Sequence, residues 1–314
     1  MSAFFCNLYS MRSIFWIFLF LFSCFSGQTI HFNFPHFAGQ DYTFSLIKGD
    51  KNDTIAKGKI PQNGQFSIDL HHKNYVGMAK WTLKKGGGLA LVVTNKNFTV
   101  ECLDPVPNRS NIRYIDSIEN LFLNQNYQQQ QDILKKYDAM LDATKAYSKK
   151  DALYSTFENE YHRIIDEYKG FRKALKANPS YAAEFRRISD AVSGLGDEIY
   201  LSEKDRAVAL NKFITSEMRW DALYTSGHWN GIISYWFEIH LKTIKDDSLF
   251  VNDIKTALSR IKDDTIYTAM VEKTVTNLME SEKSDLVQMI KMEIQNSGKM
   301  KKESDISKYL NAVK

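Results

Sequence analysis

The chain has 314 residues, with 41 Lys and Arg against 37 Asp and Glu for a formal net charge of +4, and 44% of its residues are hydrophobic. Charges of both signs are interspersed, with neither a basic patch nor an acidic tail, which argues against nucleic acid as a partner. Cysteine is scarce, at Cys6, Cys24 and Cys102, too few for a disulfide framework.

In chain order, the first feature is a short start (Met11, Arg12, Ser13), an apolar run from Ile14 to Phe22, then the small residues Ser23, Ser26 and Gly27. This is the order of a secretory signal. The run falls short of the roughly 18 residues that cross a bilayer, and no later stretch approaches that length, so no transmembrane helix is expected after signal removal. Because Arg12 follows Met11 while residues 1–10 carry no positive charge, Met11 is the expected start of translation. Two processing routes compete. Cleavage between Gly27 and Gln28 releases a soluble protein, whereas Leu21-Phe22-Ser23-Cys24 loosely resembles a lipobox in which Cys24 is lipidated and anchors the chain to the membrane. Phe22 fits a lipobox poorly, and ordinary cleavage is preferred. Losing residues 1–27 removes one positive charge, Arg12, leaving +3, and leaves Cys102 as the one thiol. The exported chain then has no internal disulfide, although its destination, periplasm or cell envelope, is oxidising.

Residues 28–107 read as a β domain. Apolar residues alternate at Ile30, Phe32, Phe34; Tyr42, Phe44, Leu46; Phe66, Ile68, Leu70; Leu89, Leu91, Val93; and Phe98, Val100. Period two predicts half-buried strands. Turn residues separate them at Gly39-Gln40, Gly49-Asp50, Asn63-Gly64, Gly86-Gly87-Gly88 and Asn95-Lys96-Asn97. The expected fold is an antiparallel β-sandwich or rolled sheet of six to eight strands, closed by a Pro105-Val106-Pro107 linker. Cys102 shares the phase of Phe98 and Val100 and reads as a small buried hydrophobe.

Residues 108–314 change to helical spacing: Leu134, Tyr137, Leu141; Phe157, Tyr161, Ile164, Tyr168; Val271, Val275, Leu278. Such residues share one helix face. Asn178-Pro179-Ser180, Ser193-Gly194-Leu195-Gly196 and Asp263-Asp264 mark breaks or helix starts. Seven to nine helices in an irregular all-α region follow, making the chain α+β.

Chemistry-bearing motifs are sparse. None of His31, His36, His71, His72, His162, His228 or His240 lies in a zinc motif. Adjacent strand residues such as His71 and His72 point to opposite faces. Gly86-Gly87-Gly88 lacks the Lys-Ser/Thr sequel of a phosphate loop and reads as a hairpin tip. Thr225-Ser226-Gly227-His228 brings a hydroxyl near an imidazole without a nucleophile elbow, and reads as helix capping. No catalytic residue, cofactor or metal is assigned.

One segment stands out. Three of the five tryptophans, Trp220, Trp229 and Trp236, fall within seventeen residues, with Tyr224 and Tyr235 among them and Phe237 directly after. On a helix from about His228, Trp229, Ile233, Trp236 and His240 form one stripe. Two readings stay open: a core where several helices meet, or an aromatic groove for a peptide or glycan, built from Trp220, Tyr224, Trp229, Trp236 and His240.

Several segments carry a family resemblance: Asp53-Thr54-Ile55-Ala56-Lys57-Gly58-Lys59-Ile60, Gly64-Gln65-Phe66-Ser67-Ile68 and Leu89-Ala90-Leu91-Val92-Val93 in the β domain. Together they resemble the N-terminal domain of unknown function 4369 of exported Bacteroidetes proteins. Asn178-Pro179-Ser180-Tyr181-Ala182-Ala183-Glu184-Phe185 and Leu223-Tyr224-Thr225-Ser226-Gly227-His228-Trp229 are similar to the helical spacer that follows it. The match covers nearly all of residues 28–300. In that family a thioredoxin-like domain of the alkyl hydroperoxide reductase and thiol-specific antioxidant type comes next. Its dithiol chemistry needs a Cys-x-x-Cys pair, which this chain lacks, and Lys314 falls where such a domain is expected to begin. The resemblance therefore implies a non-catalytic accessory or interaction protein of the cell envelope, partnered by a thioredoxin-like domain or another envelope protein. Whether the chain is truncated or free-standing stays open.

Overall fold

The computed structural model describes residues 28–70, 74–199 and 202–300, together with Ile306 and Leu310. The signal segment, the Cys24 lipobox, and His71 and His72 lie outside the described residues.

Eight strands come first: β1 (Thr29–Asn33), β2 (Asp41–Lys48), β3 (Lys51–Lys59), β4 (Gln65–Asp69), β5 (Gly77–Leu83), β6 (Gly88–Val93), β7 (Phe98–Cys102) and β8 (Ile112–Ile115). They form two four-stranded sheets, ordered β4-β1-β7-β8 and β3-β2-β5-β6. All pairs are antiparallel except β1 with β7, which run parallel with Ile30 opposite Phe98. The last strand lies beyond the Pro105-Val106-Pro107 segment and folds back onto β7. Gly86 and Gly87, with φ of 100° and 87°, make the tip between β5 and β6.

Between the sheets lies one core, containing Ile30, Phe32, Phe44, Leu46, Trp81, Leu91, Phe98, Val100 and Cys102. These are the alternating residues of the strands, and burying them drives the sheets together. The second sheet is covered on its outer face as well. Ile47, Met78 and Val92, which alternation places on that face, belong to the core of the helical region. The molecule thus has three layers, and the middle sheet is shared by two cores.

Nine α-helices follow among the described residues: α1 (Ile118–Ala146), α2 (Tyr154–Ala177), α3 (Tyr181–Val192), α4 (Glu203–Lys212), α5 (Trp220–Ser226), α6 (Trp229–Glu238), α7 (Asp247–Arg260), α8 (Asp264–Glu280) and α9 (Ser284–Asn296). Side-chain oxygens cap their starts: Ser117 for α1, Ser180 for α3, Ser202 for α4, Asp246 for α7 and Asp263 for α8. Each satisfies backbone N–H groups that a helix start leaves without partners. Helices α4 and α6 each run on into a π-helical turn, Phe213–Glu217 and Ile239–Ile244. Among the described residues no helix is long and apolar enough to cross a membrane.

Helix α5 fastens the two regions by packing on β2 and β5. Two glycines permit that approach. A Cβ on Gly49, whose φ is +63°, would lie 2.7 Å from the Tyr224 ring, and one on Gly77 would lie 2.5 Å from Thr225. The Gly49 N–H donates to the Tyr224 carbonyl at 2.6 Å.

Candidate functional site

The aromatic segment is interior. Trp220, Trp229, Trp236 and His240 are 4%, 3%, 0% and 2% exposed, and Tyr224 is half-buried against Gly49 and the edge of Trp229. The aromatic groove is therefore corrected to a core. The stripe on α6 that could have faced solvent is covered by α3, α5 and α8, and Phe250 of α7 packs edge-on against the Trp236 and Phe237 rings. The polar atoms of Trp236 and His240 are directed inward. Trp236 Nε1–H donates to Asn211 Oδ1 at 2.7 Å, and His240 Nε2 lies 3.0 Å from the same oxygen. Asn211 Nδ2 in turn donates to Asp253 at 2.7 Å. With Asn211 Oδ1 as the shared acceptor, His240 carries its proton on Nε2. Burial pushes its pKa down to about 4, against a smaller opposing pull from Asp246. The imidazole is a neutral structural donor.

Other hydroxyl and thiol groups are similarly engaged. Ser226 Oγ donates to the Leu223 carbonyl and accepts from the His228 N–H, while the His228 ring lies against Phe185. Cys102 is buried, and its Sγ contacts the Asp104 carbonyl at 3.5 Å.

An open site lies elsewhere, where α2, α3, the 194–198 loop, α4 and its π turn meet around a cleft of about 430 Å³. Each wall follows from local sequence. Arg172 and Lys176 are one turn apart on α2 and so share a face. Arg187 comes from α3, a helix so enclosed that its Arg-Arg pair is buried. Gly194, with φ of +74°, stops α3 and turns the chain into the loop, and Arg206 of α4 lies over it. Ala191, Ala209, Leu210 and Phe213 supply apolar lining.

Ion pairs hold this wall in place. Arg172 bonds Asp190, which also receives Arg186. Lys176 reaches Glu217 at 2.8 Å and Asp197 at 3.5 Å. Arg187 meets Glu217 at 2.6 Å and Glu184 at 3.3 Å, and its guanidinium stands 4.7 Å from the Phe213 ring centre. The hydrogen bond to Glu217 holds Lys176 above the usual ammonium range, outweighing burial. Burial pushes Glu217 up, but its bonds from Lys176 and Arg187 prevail and keep it below the usual carboxylate range.

No family model matches the chain, and no curated protein or solved structure matches it. What the cleft does must therefore be argued from its chemistry. Five lining residues are cationic, Arg172, Lys176, Arg187, Arg206 and Lys212, and three are anionic, Asp197, Glu198 and Glu217. None of the fifteen lining residues is His, Cys, Ser, Thr or Tyr. Sequence reasoning missed this site because its residues are spread from 172 to 217 over three helices, a loop and a π turn. The signal in the chain was the Arg186-Arg187 pair within α3, flanked at helical spacing by Glu184 and Asp190.

Proposed function

We propose that this chain is a non-catalytic interaction protein of the cell envelope, which binds a ligand or partner in support of thiol-redox chemistry carried by a separate thioredoxin-like domain. The observation that carries the binding half is the ion pairing of Lys176, Arg187 and Glu217 in the cleft wall. General acid–base work needs pKa values near the working pH. Lys176 is instead held protonated by Glu217, and Glu217 is held ionised by Lys176 and Arg187, so this central pair of the cleft is locked in its charged form. That suits recognition better than proton transfer. The envelope and redox halves rest on the signal-like N-terminus and on the resemblance to domain of unknown function 4369 with its spacer. A chain with cysteines only at positions 6, 24 and 102 has no Cys-x-x-Cys of its own.

The test uses the purified full chain. Insulin-reduction and peroxidase assays are expected to show no turnover, and turnover in either overturns the non-catalytic reading. Surface-immobilised chain is expected to bind an envelope thioredoxin-like domain from the same organism saturably, and a flat response overturns the redox association. Mass spectrometry of the N-terminus is expected to find Gln28. A lipid-modified Cys24 replaces the soluble form with an anchored one, and an unprocessed N-terminus overturns export.

A further inference from the structure

We infer that the cleft between α2, α3 and α4 is a binding site for an organic oxyanion, a carboxylate or phosphate group joined to an apolar body. This rests on the binding half of the proposed function and is independent of the redox half.

The first reason is unmatched charge. Asp190, Asp197, Glu184 and Glu217 account for Arg172, Lys176 and Arg187, whereas Arg206 and Lys212 have no carboxylate partner among the described residues. The one unmatched acid of the lining, Glu198, is exposed. Lys212 is exposed as well, so Arg206 is the partly buried cation of the lining that lacks a counter-charge among the described residues.

The second reason is unmatched donors. Buried N–H groups are nearly always bonded, and an exception points to a water or ion that completes it. The Nε atoms of Arg172, Arg186, Arg187 and Arg206 are buried and without an acceptor among the described residues, and three of these four arginines, Arg172, Arg187 and Arg206, line this cleft. Oxygens of a carboxylate or phosphate are the acceptors that guanidinium groups fit best, through short charge-assisted bonds. Arg206 is held for that role. Its Cδ and NH1 lie 3.5 Å from where a Gly194 Cβ would be, so the side chain rests on the loop where a larger residue would crowd it.

The third reason is the apolar lining of Ala209, Leu210 and Phe213, which gives an attached hydrocarbon group a surface to cover. The volume, about 430 Å³, falls within the range of small-molecule sites.

The experiment titrates the ¹⁵N-labelled full chain with phenyl phosphate, phenylacetate, inorganic phosphate and benzyl alcohol, following arginine Nε–H signals by NMR and affinity by calorimetry. Phenyl phosphate or phenylacetate is expected to shift the Nε–H signals, and whichever binds more tightly names the head group. Inorganic phosphate is expected to bind more weakly and benzyl alcohol not at all. Arg206→Met keeps an apolar stem over Gly194 and breaks no ion pair, so its melting temperature is expected to match the parent. Its affinity for the organic anion should fall about tenfold or more. Absence of Nε–H shifts with both organic anions, or unchanged affinity in Arg206→Met, overturns the inference. Equal binding of inorganic phosphate overturns the apolar part. Native mass spectrometry separates the levels: a neutral ligand retained in the cleft removes the oxyanion and leaves a binding protein standing, whereas conversion of any probe removes the binding-only reading itself.

Discussion

The side-chain amide of Asn120 hydrogen-bonds both main-chain groups of Val92, accepting from its N–H and donating to its carbonyl, each at 2.8 Å. Val92 sits on β6, an edge strand whose outer N–H and C=O would otherwise have no partner. The amide of one residue in the first turn of α1 does what a neighbouring strand would do. Asn120→Ala leaves two buried backbone groups unmatched and should cost roughly 1–3 kcal/mol, read as a lower urea midpoint with an unchanged slope. An unchanged midpoint would show that water replaces the amide without loss.

Helix α5 makes an opposite pair of glycine substitutions informative. At Gly77 an added methyl meets Thr225 and the Tyr75 hydroxyl at 2.5 Å, so Gly77→Ala should destabilise by roughly 1–3 kcal/mol through overpacking. Gly170 lies exposed in α2 with nothing within 4 Å, so Gly170→Ala should stabilise by up to about 1 kcal/mol through helix propensity. Thermal unfolding of the two variants should move in opposite directions.

Asp190 balances two buried guanidinium groups, Arg172 and Arg186. Burial raises its pKa, and the two arginines oppose that. Asp190→Asn strips the charge from between them and should cost about 3–5 kcal/mol, the scale of breaking a buried pair from one side. A loss below 1 kcal/mol in chemical denaturation, about the scale of an exposed pair, would mean that water reaches the site.

His240 makes part of the stability dependent on pH. Its folded pKa, about 4, lies below the ordinary value of 6.5, so between these limits the unfolded chain binds the extra proton. The contribution is fully present above pH 6.5 and is lost as pH falls toward 4, by something on the order of 3 kcal/mol. His240→Gln should flatten that part of the curve. Parallel urea titrations of parent and variant at neutral and mildly acidic pH isolate the difference, and equal slopes would refute it.

Trp229 decides the character of the aromatic segment in solution. As a core side chain its replacement by alanine should lower stability by about 3–5 kcal/mol. A stable Trp229→Ala variant that loses ligand would restore the groove.

Much of the architecture was legible in the chain. Alternation found Ile30, Phe32, Phe44, Leu46, Leu91 and Val100 because each faces the interior of a two-sheet core. It could not show that Ile47, Met78 and Val92 are buried too, since burial on the second face depends on helices the strand pattern does not name: α5, more than a hundred residues away, on β2 and β5, and α1 on β6. The parallel pairing of β1 with β7 and the return of β8 past Pro107 were hidden for the same reason: strand order is a tertiary property. At the candidate site, the breaks at Asn178-Pro179-Ser180 and Ser193-Gly194 were visible, and they fix α3 and the loop. The convergence of Arg172, Arg187 and Arg206 was not, because ion partners assembled across helices leave no spacing to read.

The placement of β1 inside its sheet, between β4 and β7, has a consequence for how the protein is made. Its register partner on one side, Phe98, lies far along the chain, and the Thr29 N–H bonds Asn97 across 68 residues. A chain emerging N-terminus first therefore presents β1 with one edge bare until β7 has appeared. Closing so distant a contact is slow. During that interval Ile30 and Phe32 form a sticky, half-dressed ribbon, and synthesis stalled before residue 98 should yield aggregates in place of a folded β fragment.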